Sequence, residues 1–224
     1  MGGYGHAADL PALIARITRN RDGGTEAVHL GHLALDLGYQ VRLYPFGVRV
    51  FDPSWWDLER DPLIEKLARR AAALRARGAP VGDLDTLDAW RHLLERGGQV
   101  AFAEPSATLL VRILSRGRPV ICGVSATWLY RDPRERPHDD VPDDIDGEPV
   151  GHFIVVRGFT GGGLHFHISD PAEALPPMSS TARAETAVHG EYPLPADRLI
   201  HAVLLGDTTR DAVLLELWPA RERS

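Results

Sequence analysis

The sequence lacks several features that define large classes of proteins. It has a single cysteine, which excludes a disulfide within the chain and fits a reducing compartment. No apolar stretch approaches the roughly 20 residues of a membrane-spanning helix, and the first residues show neither the basic nor the apolar region of a signal peptide. We therefore expect a cytoplasmic protein with no membrane partner.

Positive charge is not in excess either. The formal net charge is −6, whereas contacts with phosphate backbones need a basic face, so we expect no nucleic-acid partner. The only run of three glycines, Gly161-Gly162-Gly163, joins strand to strand and not strand to helix, which excludes a phosphate-binding loop. Arginine far outnumbers lysine, and alanine, leucine, aspartate and glycine are plentiful, a composition typical of high-GC bacterial genomes.

The elements that are present predict an α+β fold. Helical spacing of apolar residues predicts helices over residues 9–19, 25–37, 62–78, 83–96, 106–116 and 195–205, with Thr25 and Ser106 as N-caps. Extended patterns predict strands over residues 39–51, 99–103, 118–125, 151–159, 164–170 and 211–217. Helices come first and strands follow, so we expect a single domain, residues 1–224, in which a helical half (1–116) packs on an antiparallel sheet (117–220).

A β-hairpin in the second half carries the most informative pair of residues. Two runs rich in β-branched and aromatic residues flank the three glycines; His152 opens the first run and Asp170 closes the second. The open ends of antiparallel strands are neighbours, so we expect the two side chains to meet. A histidine held by an aspartate is the orienting half of a nucleophilic triad, although such a pair is also compatible with a purely structural role.

Two stretches together resemble a known family. Residues 117–125 (GRPVICGVS) and 151–171, with Gly-His-Phe-Ile-Val-Val, a glycine turn and a terminal Asp-Pro, are similar to the C39-like group of the papain-like cysteine peptidase fold. A looser resemblance covers residues 25–44. In that family a cysteine at the start of an early helix attacks an amide carbonyl, so the resemblance implies a base at His152 and its orienting acid at Asp170.

The sequence departs from this family at the nucleophile. No Cys-Gly-Pro and no cysteine precede Cys122, and no glutamine precedes the first helix. Three explanations stay open: a degenerate site, a nucleophile encoded upstream of Met1 or supplied by another chain, or Cys122 itself. Cys122 lies in a run of valine and isoleucine and is typical of a buried strand residue, which disfavours it. The hydroxyl of Thr25 or Ser125 could replace the thiol as nucleophile, but no neighbouring residue in the sequence indicates that either hydroxyl is activated.

These observations predict a peptidase-like protein that binds a peptide or another amide-bearing substrate and lacks full peptidase activity. The alternative is an active thiol hydrolase or acyltransferase. A third class, a metal- or small-molecule-binding module, would use His29 with His32, or His165 with His167, but neither pair has a third ligand at suitable spacing. The acidic loop 131–150 does not follow the calcium-loop pattern, so we expect no metal and no cofactor. We expect residues 172–191 to form a flap or a disordered insert.

Overall fold

The structure is a computed structural model that describes residues 9–20, 23–172, 190–210 and 212–220. Its α-helices are α1 (Leu10–Arg16), α2 (Ala27–Asp36), α3 (Arg60–Ala76), α4 (Val81–Glu95), α5 (Ala107–Leu114) and α6 (Ala196–Leu205). Its strands are β1 (Tyr39–Pro45), β2 (Gln99–Val100), β3 (Val120–Ser125), β4 (Gly151–Thr160), β5 (His165–Ser169), β6 (Glu191–Pro195) and β7 (Val213–Pro219). Single turns of 3₁₀- or π-helix span Pro53–Trp55, Thr127–Arg131 and Gly206–Thr209.

All seven strands form one sheet in the order β2-β1-β7-β3-β4-β5-β6. Neighbouring strands are antiparallel except β1 and β2, which are parallel because the chain between them crosses over through α3 and α4. The α+β class is confirmed. The expected purely antiparallel sheet is corrected to a mixed one, and β1 and β2 come from the half of the chain that was expected to be helical.

Helices cover both faces of this sheet. The α5–α6 face presents one alternating set of strand residues, which packs against helical leucines of α5 and α6: Cys122, Val124, Ile154 and Ile168 with Leu110 and Leu199. The α2–α4 face presents the other set, which packs against α2, α3 and α4: Leu43 and Leu215 with Val28, Leu67 and Leu93. Because successive strand residues point to opposite faces, β1, β3, β4 and β7 contribute to both cores, whereas β5 and β6 contribute only to the core on the α5–α6 face.

Several predicted boundaries are shifted. Helix α2 has Glu26 as its N-cap residue, and the Thr25 hydroxyl donates a hydrogen bond to the carbonyl of Thr18 (2.9 Å), so the Thr25 cap is wrong. The Ser106 cap is confirmed, because its Oγ accepts from the N–H of Leu109 (3.2 Å). Residues 48–50 form a turn and do not continue β1. Strand β6 shares only Glu191 with the stretch expected to be irregular, and it was not predicted.

The acidic loop 131–150 contains turns and isolated bridges. Glu135 bridges to Pro142 and to Glu148, and the Asp143 carboxylate accepts from the N–H groups of Ile145 and Asp146. Local carboxylate–amide bonds of this kind are typical of turns. The described residues contain no group of three or more potential metal ligands and no helix long and apolar enough to cross a membrane. The predicted flap lies largely outside the described residues.

Candidate functional site at the open end of the β4–β5 hairpin

The hairpin brings the two predicted residues to one end of the sheet. Strands β4 and β5 pair in the register Phe159 with Phe166 and Thr160 with His165, across the glycine turn. Gly161, Gly162 and Gly163 have φ values of +60°, +66° and +102°, in the left-handed region that side chains disfavour, which explains a run of three glycines here. The expected hairpin is confirmed.

His152 and Asp170 meet as the sequence predicts. Nε2 of His152 lies 2.9 Å from Oδ1 of Asp170. The Asp170 side chain is 0% exposed, whereas the His152 side chain is 24% exposed. The pair therefore runs from a fully buried carboxylate to a ring that reaches the surface, and this places the imidazole between the protein interior and solvent.

Three further donors fix the Asp170 carboxylate. The hydroxyls of Tyr130 and Tyr192 both donate to Oδ2, at 2.8 and 2.6 Å. The main-chain N–H of Ala172 donates to Oδ1 at 2.9 Å. Together with His152, these groups give the carboxylate four donors, two on each oxygen, which fix its orientation.

These contacts keep the Asp170 carboxylate ionised. Burial acts to raise the pKa of Asp170, but the hydrogen bonds from His152, Tyr192, Ala172 and Tyr130 together hold it below its ordinary value. An ionised carboxylate only accepts, so Nε2 of His152 is the donor in this bond. In the neutral ring Nδ1 is then the acceptor, and no described residue hydrogen-bonds to it. The arrangement therefore provides an oriented base at Nδ1.

Tyr130 precedes β4 in the chain, and Tyr192 follows β5. Tyr130 belongs to the π-helical turn after β3, whose position is fixed by a bond from the N–H of Trp128 to Oγ of Ser125 (3.3 Å) and by a bond from the Arg198 guanidinium to the carbonyl of Leu129. The ring of Tyr130 lies 5.7 Å from that of His152, at 58°. Burial, followed by the bond to Asp170, raises the pKa of both tyrosines, so both hydroxyls stay protonated donors.

Gly190 brings β6 close to Asp170. The N–H of Asp170 donates to the carbonyl of Gly190 at 2.8 Å. Gly190 has a φ of +74°, and a Cβ at this position would lie 2.2 Å from the carbonyl oxygen of Asp170. Only glycine fits there, and its close approach is what delivers the Tyr192 hydroxyl, two residues later, to the carboxylate.

Cys122 does not reach His152. It pairs with Ile154 on β4 and with Leu214 on β7, and it is 0% exposed. Burial raises the pKa of the Cys122 thiol far above its ordinary value, which suppresses the thiolate that nucleophilic attack needs. His152 pairs with Val124, two residues after Cys122 on β3, so Cys122 lies on the same sheet face as His152 but farther along the strand. No hydrogen bond joins the two described side chains.

The two hydroxyl candidates are also apart from His152. Ser125 pairs with Gly151, so it alternates with Val124 onto the opposite sheet face, and its Oγ accepts the bond from Trp128. Thr25 precedes α2, which packs on the α2–α4 face. Neither side chain is hydrogen-bonded to His152 among the described residues, so the structure brings together only the His152–Asp170 part of a triad.

The paired histidines have ordinary surroundings. His32 Nε2 lies 2.9 Å from the carbonyl of Ala89 and its Nδ1 lies 3.0 Å from the Arg96 guanidinium, and burial lowers the pKa of both His29 and His32. His165 and His167 are exposed on the outer face of β5, as the strand alternation predicts. Neither pair belongs to a group of three or more potential metal ligands in the described part of the chain.

Sequence reasoning missed Tyr130, Tyr192 and Glu216. The tyrosines give no local signal, because their partner Asp170 is distant in sequence from Tyr130 and lies beyond a strand boundary from Tyr192. Glu216 gives a local signal, because it is a lone acid within the apolar strand VLLELWP. A charge buried in such a strand requires partners. Those partners are Arg42, Arg116 and Arg118.

Comparison with known proteins adds no relative to these observations. No family model, no curated protein and no solved structure matches the chain.

Proposed function

We propose that this chain is a C39-like protein of the papain-like cysteine peptidase fold that binds a peptide or another amide-bearing molecule, without the thiol that peptide hydrolysis would require. The site is centred on His152 and Asp170. The proposal rests on the resemblance of residues 117–125 and 151–171 and on the geometry of this pair.

One observation carries the proposal: Asp170 holds Nε2 of His152 while Nδ1 has no described partner. The carboxylate is ionised, fully buried and bound by four donors. The His152 ring is partly exposed, and its second nitrogen has no hydrogen-bond partner among the described residues. An oriented acceptor is suited to a ligand N–H or O–H, such as the N–H of a peptide bond.

The burial of Cys122 supports the degenerate form of the site. Attack on an amide needs a thiolate within reach of both the base and the substrate. Cys122 is inaccessible to a substrate, and its raised pKa keeps it protonated, so it does not supply such a thiolate. With no thiol at His152, binding is the function that the described residues support.

Thiol labelling tests the chemical part of the proposal. We expect the native protein to stay unlabelled by iodoacetamide over hours and to take up one label after denaturation, with Cys122→Ala as the blank. Mass spectrometry of the intact protein reads both states. Rapid labelling of native Cys122 that slows in His152→Ala would replace the proposal with an active thiol hydrolase or acyltransferase.

Peptide capture tests the binding part. A random-sequence peptide library is passed over the immobilised wild-type protein, and enriched peptides are resynthesised and titrated against three proteins. We expect His152→Ala to weaken binding roughly tenfold, as is typical for loss of a central polar contact, while the exposed control His165→Ala binds like wild type. Equal affinity of wild type and His152→Ala, or no enrichment by wild type, would contradict peptide binding at this site.

A further inference from the structure

A cavity of about 210 Å³ lies on the α2–α4 face, and neither His152 nor Asp170 lines it. It is bordered by α3, α4, the turn after β1 and the segment before β7. Its apolar lining includes Leu74, Leu87 and Trp90. This volume lies below the roughly 300–1,000 Å³ typical of pockets for drug-sized ligands, which suits a smaller molecule.

One wall of this cavity holds two carboxylates that share one guanidinium. The guanidinium of Arg210 contacts Oδ1 of Asp83 at 2.9 Å and Oε1 of Glu26 at 3.9 Å. The hydroxyl of Thr86 donates to the same Glu26 oxygen at 2.8 Å. These groups are engaged with one another, so they form a fixed polar boundary.

The rest of the lining includes two further arginines and a third carboxylate, Asp207. Arg49 and Arg70 both line the cavity, and neither forms an ion pair within the described ranges. Arg70 donates to the carbonyl of Arg49, while its Nε is buried and has no hydrogen-bond partner among the described residues. A buried donor without an acceptor is unfavourable, and an arginine is suited to the oxygens of a carboxylate or a phosphate.

We propose that this cavity binds a small organic anion, with its carboxylate or phosphate at Arg70 and Arg49 and its apolar body against Leu87 and Trp90. The anion supplies the acceptor that Nε of Arg70 lacks and pairs with the two arginines of the lining that form no ion pair within the described ranges. Trp90 and Leu87 give an apolar surface of matching size. The site lies on the opposite sheet face from His152 and does not depend on the function proposed for that residue.

Isothermal titration calorimetry with three probes tests the site: phenylacetate, phenyl phosphate and the neutral phenylacetamide. We expect at least one anion to bind, and to bind roughly tenfold or more tightly than phenylacetamide, because the charged hydrogen bond is lost in the neutral probe. Tighter binding of phenyl phosphate identifies a phosphate ligand, and tighter binding of phenylacetate identifies a carboxylate. Either result supports the proposal.

Two matched variants locate the binding. Arg70→Gln is expected to weaken the preferred anion roughly tenfold, whereas Arg69→Gln, the same change at the adjacent exposed residue that does not line this cavity, stays within about threefold. The exposed Arg49→Gln gives a second reading, expected at roughly threefold, if circular dichroism shows that Arg70→Gln is unfolded. Equal binding of phenylacetamide, equal losses in Arg69→Gln and Arg70→Gln, or no binding of either anion would overturn the proposal.

Discussion

Asp170 and Glu216 are carboxylates buried on the same face of the sheet, and their surroundings differ in kind. Asp170 is bound by neutral donors, namely two tyrosine hydroxyls and a main-chain N–H, together with the ring of His152. Glu216 is surrounded by cations: Arg118 at 2.5 Å, Arg42 at 3.7 Å and Arg116 at 3.8 Å, with the Tyr44 hydroxyl donating at 2.9 Å.

The Glu216 cluster is closed. Arg118 and Arg42 stack on the ring of Trp218, with distances of 4.2 and 5.6 Å to the ring centroid, and Arg42 also donates to Gln99. Arg42 and Arg118 therefore contact the carboxylate together with the indole or the amide. The Asp170 cluster ends instead at a ring nitrogen without a described partner. The difference predicts that Glu216 serves the stability of the β1–β7–β3 region and that Asp170 serves the orientation of His152.

The largest expected effect comes from removing the charge of Glu216. In Glu216→Gln three arginines face one another around a buried neutral amide, and breaking one partner out of a buried ion cluster costs about 3–5 kcal/mol of unfolding free energy. Urea denaturation measures this loss. Glu95→Gln, which breaks the exposed helical pair with Arg91, is the control and should cost no more than about 0.5 kcal/mol. A loss of less than about 1 kcal/mol of unfolding free energy in Glu216→Gln would contradict a stabilising role of Glu216.

The next effect is that of Asp170→Asn. The amide cannot accept from all four donors, so about 2–3 kcal/mol of unfolding free energy should be lost, a typical value for hydrogen bonds to a charged group. Unlike Glu216→Gln, this variant should also weaken any binding that requires His152, because a neutral amide oxygen holds the Nε2 proton less strongly than a carboxylate and orients the ring less firmly. Urea denaturation and peptide titration together measure the two effects. Intact peptide binding in a folded Asp170→Asn protein would contradict the orienting role.

The pH dependence of that difference sharpens the comparison further. Folding lowers the pKa of Asp170 below its ordinary value of about 3.9, so its contribution is complete well above this pH and is lost as the pH falls through the lower, folded-state pKa. We expect the stability advantage of wild type over Asp170→Asn to be constant between about pH 5 and pH 7 and to shrink below about pH 4. Denaturation of both proteins at several pH values measures it. An advantage that grows on acidification would show that Asp170 is protonated in the folded state.

The smallest expected effect on stability is that of His152→Ala. The ring is partly exposed, and in its absence water can reach Oδ1 of Asp170, which still accepts from Ala172, so the loss should be about 1 kcal/mol or less. Thermal or urea unfolding measures it. The comparison predicts little effect on stability but a large effect on peptide binding. A loss as large as that of Asp170→Asn would identify His152 as a structural partner of the carboxylate.

The local features of the fold could be predicted because they depend on neighbouring residues. Helical spacing located α4 and α5, and the triple glycine located the hairpin and so the meeting of His152 with Asp170. Strand β6 escaped because its two prolines conceal the extended pattern and its pairing with β5 is what makes it a strand. The parallel β1–β2 pair escaped because a crossover through two helices leaves no local pattern.

The candidate site divides in the same way. The sequence by itself determined the hairpin, the His152–Asp170 pair at its open end and the apolar setting of Cys122, since each follows from turn chemistry, strand alternation or local composition. Only the tertiary structure decided that Tyr130 and Tyr192 hold Asp170 and that Glu216 lies among arginines. It also placed Arg49 and Arg70 beside one cavity. These contacts join residues far apart in the chain, and their geometry exists only once the sheet has assembled.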